Sequence, residues 1–124
     1  MSIKNVKKIV IDHGSVPVSN NPNILKWLVD CQTHSYLNKQ KNLSKNLLDE
    51  LENIFGPSNK SLRLEFTTKV WVLEYNGLTF NVFTAYGKGT SIEICGFDYD
   101  DIRTGVREFE IISFLEELHR LINE

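Results

Sequence analysis

The chain has 124 residues, 14 basic and 16 acidic, for a formal net charge of −2. That is the length of one ordinary domain, and 41% hydrophobic with 24% charged residues is too apolar for a disordered chain. The near-neutral balance excludes a nucleic-acid binder that works by overall charge, and it excludes a polyanionic mimic.

In chain order, the apolar run from Lys8 to Asp12 predicts a first strand. Val16-Pro17-Val18 extends it beyond a kink at Gly14, but Pro17 has no N–H to donate and restricts that part to an edge or a loop. Asn20-Asn21-Pro22 is a helix start: Asn21 can accept a bond from a free backbone N–H, and Pro22 suits the first helical position. The following helix gathers Ile24, Leu25, Leu28, Cys31 and Gln32 on one side, and its apolar content fades after Tyr36. A polar stretch from Asn38 to Asn42 predicts a break or solvated turn. A second amphipathic pattern follows (Leu43, Leu47, Leu48, Leu51, Ile54, Phe55) and stops at Gly56-Pro57. No Gly or Pro interrupts residues 23–55, so one long helix and two shorter ones both fit.

Leu62 to Thr67 alternates as a strand, but its parity clashes with that of Trp71 and Leu73, which requires a bulge or turn near Thr67-Thr68. Asn76-Gly77 between two β-rich runs is the strongest short hairpin signal. It pairs Tyr75 with Leu78, Leu73 with Phe80, and Trp71 with Val82. Gly87-Lys88-Gly89 suits a three-residue loop, which pairs Thr84 with Ile92 and Val82 with Ile94. Both turns then place their apolar residues on one buried face. The C-terminal stripe Ile111, Phe114, Leu115, Leu118, Leu121 and Ile122 is helical. A helix from about residue 107 is favoured; the alternative is a strand over 107–112 with a capping box at Ser113 and Glu116. Together these elements predict a single α+β domain over residues 1–124. Its antiparallel β-meander of three to five strands packs against one or two N-terminal helices and a C-terminal helix.

Two cysteines, Cys31 and Cys95, make no disulfide framework, and they read as free small hydrophobes. No apolar run reaches a membrane span, and Ile9-Val10-Ile11 is too short for a signal core, so a cytoplasmic protein is expected. Abundant Asn, Ile and Lys beside a single Ala suggest an AT-rich source genome, such as a low-GC bacterium or a phage.

Chemistry-bearing motifs are sparse, and no catalytic set, metal site or cofactor is expected. Asp12-His13 at the end of the first strand could in principle orient an imidazole as a base, but neighbours on a strand point to opposite faces and no nucleophile motif flanks them. No CxxC or HxxxH spacing marks zinc. Gly87-Lys88-Gly89-Thr90-Ser91 lies between two strands and lacks the strand-to-helix setting of a phosphate loop. Phe97-Asp98-Tyr99-Asp100-Asp101 holds three carboxylates within four residues but departs from the calcium-loop pattern at its fifth and sixth positions. It reads either as a solvated acidic loop capping the next element or as a contact for a basic partner with Tyr99 as anchor. From Glu93 to Glu117 the charge is −6, more than the whole chain's acidity.

Three functions are compatible with these features. The first is a small non-enzymatic protein-binding module, of the size of immunity proteins, antitoxins and phage inhibitors. It would bind a basic protein through Asp98, Tyr99, Asp100 and Asp101, with Lys88 at a turn tip. The second is a small-ligand or nucleotide-binding protein using the other sheet face, through Val72, Glu74, Asn81, Phe83 and Glu93. That face would also suit a homodimer seam. The third is an enzyme built on Asp12 and His13. Nucleic acid is not an expected partner, since the C-terminal half is acidic and lacks an RNA-platform motif.

Overall fold

The computed structural model describes residues 2–6, 14–38, 51–58, 67–85 and 90–123. The expected strand over Lys8–Asp12, the polar break after Asn38 and the strand before Thr67 lie outside them.

Among the described residues, two short strands come first, β1 (Lys4–Asn5) and β2 (Ser15–Pro17), then one 3-10 turn (Val18–Asn20). Helix α1 spans Pro22–Asn38, and residues 51–55 belong to a second helix, α2. Strands β3 (Thr67–Tyr75), β4 (Leu78–Ala85) and β5 (Thr90–Cys95) form the meander. A short helix α3 (Tyr99–Thr104) and a long α4 (Glu108–Asn123) close the chain. The five strands make one antiparallel sheet in the order β1-β3-β4-β5-β2. The α+β fold is as expected.

Local chemistry explains the element ends. The Asn21 side chain accepts from the backbone N–H of Asn23 at 2.8 Å and of Ile24 at 3.2 Å, and Pro22 opens α1. Gly56, at φ +85°, ends α2 and its N–H bonds the Glu52 carbonyl. The carbonyl of Gly56 then receives the indole N–H of Trp71 at 3.0 Å, so the end of α2 is held on β3. Pro17 lies on β2, at the sheet edge, where a missing N–H costs nothing.

The β3–β4 hairpin has the expected register, Tyr75 opposite Leu78, Leu73 opposite Phe80 and Trp71 opposite Val82. Asn76 and Gly77 both take positive φ, 51° and 76°, as a two-residue turn of this twist needs. A register shift between Thr67 and Lys69 supplies the expected bulge.

The β4–β5 register differs from the expectation. Thr84 faces Thr90, Val82 faces Ile92 and Phe80 faces Ile94. The expected three-residue loop at 87–89 itself lies outside the described residues. The slip is two residues, and side chains alternate with a period of two, so Ile92 and Ile94 stay on the expected face.

That face carries the core. Trp71, Leu73, Phe80, Val82 and Ile94 are fully buried and cluster with Ile24 of α1, Leu51 of α2, Ile102 of α3, and Ile111 and Phe114 of α4. The Phe80 and Phe114 rings stack at 3.7 Å between centroids. All four described helices thus pack on one side of the sheet. Leu25 departs from the expected buried stripe: α1 turns Ile24 inward and leaves Leu25 46% exposed, one step too far round the helix. Helix α4 starts at Glu108, near the favoured residue 107. Ser113 lies within it and caps nothing; its hydroxyl pairs with that of Tyr75 at 2.9 Å.

Candidate functional site

The acidic segment forms the entry to α3. Asp98 is the N-cap, and its carboxylate accepts from the Asp101 N–H at 2.8 Å, while the Asp101 carboxylate accepts from the Asp98 N–H at 3.0 Å. This reciprocal capping box satisfies two free donors and sets negative charge at the positive end of the helix. Asp100 takes a bond from Arg103 at 2.9 Å, with both side chains largely exposed. Water screens such a pair heavily. The acidic segment thus caps the next element, one of the roles its sequence suggests, and Asp100 pairs within the same helix. Tyr99 is 66% exposed.

Helix α3 ends at Gly105, at φ +86°, whose N–H bonds the Ile102 carbonyl at 3.2 Å; the N–H of Val106 reaches the Asp101 carbonyl at 2.9 Å. Arg107 then takes a left-handed φ of +53°, rare outside glycine, and opens α4. Its guanidinium pairs with Glu110 and donates to the Asn76 carbonyl at 3.2 Å. The Asn76 side chain donates to Glu110 at 3.0 Å. One arginine and one glutamate thus tie the start of α4 to the β3–β4 turn. Arg107 holds the Glu110 carboxyl below the ordinary glutamate range, and Glu110 raises the guanidinium in turn. On the other side, the buried Asn21 amide donates to the Ile102 carbonyl at 2.9 Å, and Asn23 donates to Glu108 at 3.4 Å. The α3–α4 corner is braced on both flanks.

This corner points apolar groups at solvent. Phe109 is 90% exposed and Val106 43%, and Tyr99 at the start of α3 also faces solvent. Burying a phenylalanine is worth about 1.5–3 kcal/mol, and Phe109 collects almost none of it within the chain. Sequence reasoning passed over Phe109. The available signal was its phase: it falls outside the 111, 114, 115, 118 stripe that packs on the sheet.

The second sheet face is not simply wet. Val72 and Asn81 are buried, whereas Val70, Phe83 and Glu93 are half-buried and Glu74 is exposed. The corrected register puts Val72, Asn81 and Glu93 in one row across three strands, with Val70, Phe83 and Ser91 in the next. The expected pairing of Val82 with Ile94 would have set Cys95 opposite Asn81; in the structure Cys95 pairs with Ser15 of β2 and Glu93 takes the place opposite Asn81. Asn81 donates to the Ser15 hydroxyl at 3.3 Å, and that hydroxyl lies 3.8 Å from the Cys95 sulfur. The Asn81 amide oxygen is buried without a partner among the described residues, a defect costing about 1–3 kcal/mol.

Asp12, His13 and Lys88 lie outside the described residues. Cys31 and Cys95 are free thiols, and burial first, then Asp30 and Glu116, push the Cys31 thiol up, away from nucleophilic character. Among the described residues, no three His, Cys, Asp or Glu side chains could hold a metal ion, and no helix is long and apolar enough to cross a membrane. No protein-family model, curated protein or solved structure matches the chain.

Proposed function

We propose that the protein is a small non-enzymatic binding module whose acidic C-terminal half docks on a basic surface of another protein. The observation that carries this reading is the α3–α4 corner, where Tyr99 and Phe109 stand exposed among acidic side chains on a doubly braced frame. Aromatic anchors within a charged rim are the usual makings of a protein interface, and charge of one sign speeds encounter with the other. Function as an immunity protein, antitoxin or phage-type inhibitor in a cytoplasm is the finer form of this proposal; it rests on size and charge.

The test removes charge without removing the cap. Asp98→Asn and Asp101→Asn keep a side-chain acceptor at each capping position, and Asp100→Lys reverses the third charge. Proteins retained from the source cytoplasm by the immobilised wild type are identified, and their association rates with the triple variant are measured. At least a tenfold slower association, with a flatter salt dependence, supports the proposal. An unchanged rate removes the acidic segment from it.

A second reading places a small ligand or nucleotide on the other sheet face. The buried, unpartnered Asn81 oxygen favours it, with Glu93 facing Asn81 and with Val72 and Phe83 as apolar neighbours. A thermal shift with nucleotides or metabolites that disappears in Asn81→Leu supports this reading. A shift retained in that variant opposes it.

A further inference from the structure

Three features of the molecule bear on a further function. The Leu25 and Val29 edge of α1 is exposed, but nothing marks its occupant. The Ser15–Asn81–Cys95 cluster carries only the second reading already given. The α3–α4 corner goes further, because its charge specifies what would cover it.

We infer that Phe109 is the anchor of the binding surface, entering an apolar pocket of the partner whose rim carries lysine or arginine side chains. This rests on the acidic-surface reading and adds the residue and the shape of its complement. Phe109 sits in the first turn of α4, between Glu108 and Glu110, and is the most exposed large apolar residue among the described residues. From Asp98 to Glu110 the chain has five carboxylates and two arginines. Arg103 and Arg107 are spent on Asp100 and Glu110. Asp98, Asp101 and Glu108 have no cation among the described residues. An apolar ring flanked by Glu108 and Glu110, in a segment with three more carboxylates than arginines, is complementary to a pocket rimmed by positive charge. The braces from Asn21, Asn23 and Asn76 hold the ring's helix in place before encounter, so little order is lost on binding.

A phage-displayed random peptide library, panned at low salt on the immobilised full chain, is the probe. Selected peptides are synthesised, and their Kd values are measured against wild type, Phe109→Ala, Phe109→Trp and the triple charge variant. The expected peptides place lysine or arginine around apolar residues. Phe109→Ala should weaken them at least tenfold, Phe109→Trp should retain binding, and the melting temperature should barely move. Binding kept in Phe109→Ala but lost in the charge variant overturns the anchor and leaves the acidic-surface reading standing. Binding kept in both variants, or no enrichment of basic peptides, overturns both. Self-association in sedimentation that Phe109→Ala abolishes overturns the basic partner in favour of a second copy of the chain.

Discussion

The helix-covered face of the sheet and the α3–α4 corner are built on opposite principles. On the sheet, Trp71, Leu73, Phe80, Val82 and Ile94 are removed from water and held by packing. At the corner, order comes from a capping box, a left-handed glycine, a strained Arg107 and side-chain bonds to two neighbouring elements, while aromatic groups face outward. The first arrangement obtains stability from burial, and the second spends polar contacts on fixing a surface. Arg107 at a left-handed φ and the exposed Phe109 depart from local rules at the corner, as the buried Asn81 oxygen does on the other sheet face.

Substitutions should separate the two. Phe80→Ala, which removes the ring stacked on Phe114, should destabilise the protein by about 3–5 kcal/mol, measured as a lower urea midpoint at constant slope. Asn21→Ala should cost about 2 kcal/mol, because one residue caps α1 and also ties it to the Ile102 carbonyl. Asp98→Ala should cost about 1 kcal/mol in the same measurement, the usual value of an N-cap. A loss near that of Phe80→Ala would show that the corner belongs to the core and break the contrast.

The smallest effect concerns pH. Glu110 has a folded pKa below its ordinary value because Arg107 holds its charged form. Its contribution to stability is therefore fully present above the ordinary glutamate pKa of about 4.3. It is lost as pH falls through the lower folded value. Wild type and Glu110→Gln, unfolded across a pH series, should differ by a constant small amount near neutrality and converge in acid. A gap that widens toward acid would show that Arg107 does not act through the Glu110 charge.

Much of the meander was legible because its signals are local. Asn76-Gly77 sets a turn through backbone angles available to few residue pairs, and alternation assigns the faces. At the second turn the sequence misleads: a three-residue loop at 87–89 sets Thr84 opposite Ile92, whereas the sheet sets it opposite Thr90. The error spared the core but changed the candidate ligand row, replacing Cys95 by Glu93 beside Asn81. Asp98, Tyr99, Asp100 and Asp101 stood out as a cluster from composition alone, whereas the share of capping in that cluster needed the helix that follows. The Lys4–Asn5 strand was missed because so short a segment has no periodicity, and its place comes from pairing with Leu73 and Glu74.

What the amino-acid order determined by itself was the class of fold, the β3–β4 register, the α1 cap and the excess of acid in the C-terminal half. Each depends on residues near one another in the chain, acting through backbone preference or simple charge. Tertiary structure decided the rest. It packed all four described helices on one sheet face, buried Asn81 without a partner for its oxygen, and drew Arg107 and Glu110 to Asn76. It also left Phe109 outside the core. Those outcomes depend on which surfaces meet across long separations in the chain, and periodicity carries no record of the partner.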